Sequence, residues 1–183
     1  PDGVKPHHEQ RDEREAADLL GVRPVGMAAM SGLRLEKGYR DIGIDIDNLD
    51  NPIEAGQGFA VAWDKPGGFV GRDALLQARE SGAPSMRILG VRLLDPDVDL
   101  FGNEPVLVEG EWVGYVRAAA FGHTVGSAVG LAEISHAGGV TTEWLRAQEF
   151  TVRTGRGDLP AIVQEAPFYD PKRERILAAD LAS

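Results

Sequence analysis

The sequence predicts an α+β protein in two parts, a mixed α/β piece followed by an all-β piece. Three observations predict it. From Ser85 onward the chain breaks into short β-rich runs, "MRILGVRLL", "EPVLVEGEWVGYVRAAAFG", "VGSAVGLAEI", "QEFTVRT" and "LPAIVQE", separated by Gly, Pro, Asn and Asp. Five or six strands at that spacing suit a small barrel or sandwich. Before Ser85, two stretches carry apolar residues at helical spacing. The chain has 183 residues, 43% hydrophobic and 26% charged, which suffices for one domain or two small ones with a real core.

Residues 1–20, "PDGVKPHHEQRDEREAADLL", are strongly polar and read as a frayed tail or a helix lying on the surface. His7 and His8 are adjacent and metal-capable. No further ligands stand at metal-site spacing, so a solvated tail is the better reading.

In "VRPVGMAAMSGLRLEKGYRDIG", Pro24 can open a helix because it lacks an N–H that would be unpaired there anyway. Met27, Met30, Leu33 and Leu35 form its apolar stripe, and Gly38 marks its end. Glu36 then falls in the last turn, where the helix dipole disfavours an anion. Arg34, Lys37 and Arg40 crowd around it in sequence. Tyr39 reads as a packed ring with its hydroxyl as a tether.

The acids Asp41, Asp45, Asp47 and Asp50 follow. A calcium loop counted from Asp45 needs Gly at its sixth position and meets Asp50 instead, so the segment is expected to be a solvated loop. Glu54 is expected to cap or brace a turn. "GFAVAW" alternates like a half-buried strand. Pro66, Gly67 and Gly68 make a turn, and "GRDALLQARESG" is a helix with Ala74, Leu75 and Ala78 on its apolar side and a stop at Gly82. In the second part, "VEGEW" is a tight hairpin signal around Glu109 and Gly110. The two parts divide near residues 82–86.

Charge and composition narrow the function. The net charge of -10 disfavours nucleic acid and anionic membrane as partners. With no cysteine, disulfides, cysteine–zinc sites and thiol nucleophiles are excluded. No apolar run reaches the ~20 residues that span a bilayer, and the charged opening segment lacks a signal-peptide core, so a cytoplasmic location is expected. There is no G-x-S-x-G elbow, H-E-x-x-H pair or dinucleotide-type G-x-G-x-x-G. His123 and His136, near predicted turns, read as surface loop residues. No metal site is expected, and these motifs assign no catalytic residue.

The ordered segments are nonetheless specific. Arg34-Leu35-Glu36-Lys37-Gly38-Tyr39-Arg40, then Asn51-Pro52-Ile53-Glu54-Ala55-Gly56-Gln57-Gly58-Phe59, then Phe69-Val70-Gly71-Arg72-Asp73-Ala74-Leu75, then "LLDPDVDLFGNEPVLVEGEWVGYVRAAAFGHTVGSAVGLAEI" and a closing "PFYDPKRERIL" resemble the T-protein (aminomethyltransferase) family of the glycine cleavage system. Within it they most resemble the folate-binding parts of dimethylglycine and sarcosine dehydrogenases. The likeness runs over roughly residues 22–175. It implies a polar tail at 1–21, a partial folate-binding α/β segment at 22–84 and an antiparallel β-barrel domain at 85–183.

The resemblance also implies chemistry. Proteins of this family bind tetrahydrofolate and move a one-carbon unit from an amine onto it, giving 5,10-methylenetetrahydrofolate. In the dehydrogenase relatives a flavin (FAD) first oxidises an N-methyl amine. The glutamate of R-L-E holds the pterin and maps onto Glu36; two carboxylate oxygens facing an N–H and an NH₂ fix the plane of the ring. Arg34, Lys37 and Arg40 are then expected to keep Glu36 ionised and brace the loop, more as structural than as ligand-binding residues. Tyr39 joins Glu36 as a folate-binding candidate. Lys65 and Arg72 are candidates for the anionic glutamyl tail, as are Lys172 or Arg173 more loosely.

Only 33 residues precede Arg34, whereas the family has well over a hundred, which supply the catalytic aspartate and more of the pterin pocket. Neither that aspartate nor a flavin fingerprint is found. The chain is therefore expected to be a subunit of a split enzyme or a fragment, working with a flavin-containing dehydrogenase subunit or a missing N-terminal half. The alternatives are a non-catalytic interaction subunit and a flavin-independent folate methyltransferase. A missing half predicts an exposed apolar surface where it docks.

Overall fold

The computed structural model describes residue 15 and residues 17–178. His7, His8 and most of the polar opening segment lie outside the described residues. The chain falls into two compact units, Pro1–Met30 and Ser31–Ser183. In the first, Leu19, Leu20 and Val25 are exposed. The strands and the functional residues described below belong to the second.

Six strands, β1 (Met86–Leu93), β2 (Pro105–Val108), β3 (Glu111–Gly122), β4 (Ser127–Ser135), β5 (Phe150–Thr154) and β6 (Gly157–Gln164), close into a barrel in the order β1-β4-β3-β2-β5-β6. Every neighbouring pair is antiparallel, and β6 returns to β1 through pairs such as Val91 with Val163. Closure leaves no strand edge exposed to another chain and decides between the two all-β architectures the spacing allowed. Glu109 and Gly110 both have positive φ, 52° and 84°, the type I′ geometry that follows the twist of the β2–β3 hairpin.

Alternation along the strands fills the barrel with Val91, Leu93, Val106, Val116, Ile134, Val152 and Val163. A second cluster lies outside the wall, where Leu35 and Ala55 pack on Ile88, Ala118, Val129 and Leu131. β4 is thus buried on both faces: Ala128, Ala132 and Ile134 point into the barrel, Val129 and Leu131 outward under the first helix. Burying a leucine such as Leu35 contributes roughly 1.5–3 kcal/mol.

That helix, α1 (Met27–Glu36), starts three residues after Pro24. It ends as expected. Gly38 has φ 65°, its N–H donates to the Leu35 carbonyl at 3.0 Å, and the Tyr39 N–H reaches the Arg34 carbonyl at 2.9 Å, a Schellman cap. The apolar stripe does not face a core. Met27, Met30 and Leu33 are exposed and only Leu35 is buried. At Gly32 an added Cβ would stand 2.9 Å from the Phe121 carbonyl oxygen, so the helix lies directly against the β3 backbone where a larger residue would hold it off.

"GFAVAW" is not a strand. It forms a 3-10 turn at Gly58–Ala60 with Phe59 exposed, and Trp63 folds back so that its Nε1 donates to the Gly58 carbonyl at 3.1 Å. Alternation alone cannot make a strand where no neighbour runs alongside to pair with it. Helix α2 (Arg72–Glu80) follows, with Leu75 buried and Ala74 exposed. Helix α3 (Thr142–Ala147), capped by the Thr141 hydroxyl on the Trp144 N–H, joins β4 to β5. Among the described residues no helix is long and apolar enough to cross a membrane.

Candidate functional site

Glu36 ends α1 with only 1% of its surface exposed. Its Oε1 accepts the backbone N–H groups of Thr124 at 2.6 Å and Val125 at 3.0 Å, both in the turn between β3 and β4. The fit depends on Gly122: a Cβ there would lie 3.1 Å from Glu36 Cγ and 3.1 Å from Oε1. The main-chain carbonyl of Glu36 accepts the Tyr169 N–H at 3.0 Å, which ties the closing "PFYDP" segment to the helix end.

The three neighbouring bases do not touch Glu36. Arg34 forks onto Asp45, with 2.5 and 3.2 Å contacts. Lys37 donates to the Asp170 carbonyl oxygen at 2.9 Å and lies 3.4 Å from its carboxylate. Arg40 donates to the carbonyls of Gly38 and Ile88. Its Nε is buried and finds no partner among the described residues; burial pulls its pKa below the ordinary value, against the pull of Asp45. The expectation that these bases hold Glu36 ionised is therefore corrected. The carboxylate is held by two backbone dipoles, which suit an anion without neutralising it.

The acidic segment is also not a solvated loop throughout. The Asp45 side chain is fully buried against Arg34. Asp50 receives both terminal nitrogens of Arg117, at 2.6 and 3.0 Å, while Arg117 also reaches Glu133 at 2.6 Å and the Asp45 carbonyl at 2.9 Å. Burial works against the charged guanidinium, but Asp50 and Glu133 outweigh it and drive the Arg117 pKa well above its ordinary value. Two remote arginines thus turn acids that look solvent-facing in sequence into anchors. Among the described residues no group of three or more His, Asp or Glu side chains is arranged for a metal ion.

The four folate-binding candidates fall in two places. Tyr39 leaves the helix beside Glu36, but its ring is exposed rather than packed. Lys65 lines a groove of about 650 Å³ with Val61, Phe69, Val70, Leu75 and Ala78, and neither Glu36 nor Tyr39 is in its wall. Arg72 donates to the Trp63 carbonyl at 3.3 and 3.4 Å. Lys172 is exposed, 4.0 Å from Glu174. Glu54 does brace a turn, accepting the Asn51 N–H at 3.1 Å. His123 is exposed, and His136 lies in the loop after β4 as expected, but half-buried and stacked on Trp144 at 4.5 Å rather than on the surface. Sequence reasoning missed Gly122, Thr124 and Val125; the glycine-flanked "GHTVG" was the available signal.

Comparison with known proteins places this geometry in context. Residues 87–170 match the glycine cleavage T-protein C-terminal barrel domain, and residues 14–65 match the GCVT N-terminal domain. The chain is 40% identical over 162 residues to 4-methylaminobutanoate oxidase (formaldehyde-forming) of Paenarthrobacter nicotinovorans, covering 88% of this chain and 19% of that protein. An aminomethyltransferase of Symbiobacterium thermophilum is 39% identical over 162 residues, 88% of this chain and 41% of its own length. Human mitochondrial dimethylglycine dehydrogenase is 29% identical over 187 residues, 95% of this chain and 20% of its own. The solved glycine cleavage system aminomethyltransferase T from Bartonella henselae superposes with a TM-score of 0.71 at 25% identity, over 88% of this chain and 45% of that one. The chain thus spans less than half the length of each of these relatives. With the barrel, the R-L-E-K-G-Y-R helix end and both domain matches in agreement, the chain belongs to the glycine cleavage T-protein (aminomethyltransferase) family.

Proposed function

We propose that this chain is the C-terminal part of a folate-dependent aminomethyltransferase-like protein that passes a one-carbon unit from an oxidised N-methyl amine, of the dimethylglycine or sarcosine kind, to tetrahydrofolate. Residues 22–84 are read as its partial folate-binding segment and residues 85–183 as its barrel domain. Tetrahydrofolate supplies the nitrogen that takes up the carbon. Oxidation of the amine belongs to FAD held by a partner chain or by polypeptide outside this sequence.

One observation carries the reading: the glutamate at the family's pterin-binding position, Glu36, is a buried carboxylate with no cation on it among the described residues. A structural ion pair would have used Arg34, Lys37 or Arg40, and all three are engaged elsewhere. Oε1 accepts two N–H groups, which fills its two lone pairs and leaves those of Oε2 for donors such as a pterin N–H and NH₂. The donor set of a reduced folate fits that acceptor.

The remainder of the pocket is assigned to other polypeptide. Two features support this. The chain covers less than half the length of these relatives, and Leu33, Ile42, Leu49, Phe59 and Val70 are all exposed, apolar side chains of the kind that a docked surface covers.

The test is titration of the intact protein with 5-formyltetrahydrofolate, followed by quenching of Trp63, Trp112 and Trp144. Binding is expected, and Glu36→Gln weakens it by ~1–3 kcal/mol. A wild-type protein that binds no folate with its partners present makes the chain an interaction subunit. Co-purification with a flavoprotein favours amine oxidation over direct methyl transfer.

A further inference from the structure

We infer that the β3–β4 turn, residues 122–126, is a positioning element for Glu36, so that Oε2 alone reads the ligand; this rests on the folate reading above. The two turn amides approach the same oxygen, at 2.6 and 3.0 Å. A carboxylate fixed through one oxygen by two backbone donors cannot turn about its last bond without losing both. Its second oxygen therefore has a set direction, the condition for reading a flat donor edge.

Gly122 makes this possible. A Cβ at this position would press on Glu36 Cγ and Oε1, both at 3.1 Å, and on Val129 Cγ2 at 3.0 Å. Val129 is fully buried in the cluster under α1, so it cannot yield easily and the carboxylate must. Gly122 has no positive φ, so alanine is acceptable to the backbone and the effect of a substitution falls on Glu36. The barrel thereby acts on a ligand it need not touch. Gly122 and the amides of Thr124 and Val125 are positioning residues, and Glu36 is the binding residue.

The arrangement also specifies the outcome of a glutamine at position 36. The two amides require an acceptor, so the glutamine carbonyl takes the place of Oε1 and its NH₂ takes that of Oε2. A donor then faces donors, and the ligand is repelled while the turn stays in place.

The experiment reads two quantities in the intact protein: the Kd for 5-formyltetrahydrofolate, and the NMR shifts of the Thr124 and Val125 amide protons. In wild type both resonances are expected to move on titration with the folate. Gly122→Ala should raise Kd about tenfold or more, the scale of one charge-assisted hydrogen bond, and displace both amide signals, with resonances of β1 and β5 unchanged. Glu36→Gln should raise Kd while leaving both amides hydrogen-bonded. If Gly122→Ala displaces the amides and leaves Kd unaltered, the positioning role is wrong even though folate binds. Wild-type amides that ignore bound folate overturn it too, whether or not the variant folds. A Glu36→Gln protein with wild-type Kd removes the underlying folate reading instead.

Discussion

Arg117 grips Asp50 with both terminal nitrogens, at 2.6 and 3.0 Å, and so fastens the acidic segment to the barrel wall. A bulge sets the aim. The β3–β4 register shifts between Val116 and Ala118, leaving Arg117 as the extra residue and turning its side chain outward. Glu133 on β4 completes the fork at 2.6 Å. Removing the guanidinium strands Asp50, whose side chain is 3% exposed. Arg117→Ala is expected to cost roughly 3–5 kcal/mol in urea unfolding, as for other broken buried pairs. Arg117→Lys should recover only part, because lysine cannot fork. A loss below about 1 kcal/mol, the range of an exposed pair, would show that the pair contributes little.

The same pair gives stability a pH dependence. Burial pushes the Asp50 carboxyl up, but the Arg117 guanidinium and the Asp47 N–H outweigh it and hold its pKa below the ordinary 3.8. Glu165 is held below its ordinary 4.5 by Arg87, against burial, with help from the Thr142 hydroxyl. A carboxyl with a depressed folded pKa contributes stability above its unfolded value, and that contribution disappears as pH falls through the folded value. Urea midpoints should therefore hold steady from about pH 6 to about pH 4.5 and drop below that. Asp50→Asn is expected to start lower and fall less steeply. A wild-type midpoint flat to about pH 2.5 would contradict the assignment.

Much of the barrel could be read from sequence because its cues are local. Short β-rich runs broken by Gly, Pro, Asn and Asp mark the strands, and Glu109 and Gly110 mark the tight turn. Closure came from the family resemblance and not from strand spacing, since it depends on β6 meeting β1, as at Val91 and Val163. The helix around Leu35 was found, but which face it buries was not: Met27, Met30 and Leu33 are apolar and exposed. Of the candidate site, the sequence singles out Glu36 through its motif but not the turn that holds it. The partners of Glu36 lie 88 and 89 positions away, and the Lys37–Asp170 contact spans 133. Charges adjacent in sequence look paired with one another, whereas Arg34 meets Asp45, Lys37 meets Asp170 and Arg40 meets only the Gly38 and Ile88 carbonyls.

The closing segment is a strap across this region, and its release can be measured. The ring of Phe168 covers Gly90, where a Cβ would stand 3.1 Å from Phe168 Cε2. The Tyr169 N–H and the Lys37–Asp170 contact hold the next residues to the helix end. Phe168→Ala is expected to cost about 2 kcal/mol, below the range for a fully buried ring, and to speed proteolysis after residue 170. Gly90→Val should reproduce the proteolysis with Phe168 intact, because it forces the ring off. Unchanged cleavage in both variants would mean the strap is not held by that contact.

The groove beside α2 tests whether other polypeptide completes the protein. Val70 is fully exposed at its rim, so a charge there costs this chain almost nothing on its own. Val70→Asp should leave its urea midpoint within about 0.5 kcal/mol of wild type, as for other surface changes. Against an apolar partner surface the aspartate loses its water, and the bases nearest Val70 are engaged with solvent (Lys65) or with the Trp63 carbonyl (Arg72). Desolvating an unpaired carboxylate is expensive, so association with the rest of the protein, followed by analytical ultracentrifugation, should be lost or weakened at least tenfold, which is about 1.4 kcal/mol. Phe59→Asp, also on an exposed apolar residue, should act in the same direction. If both variants associate as wild type does, this face is free in the assembled protein and the remaining polypeptide docks elsewhere.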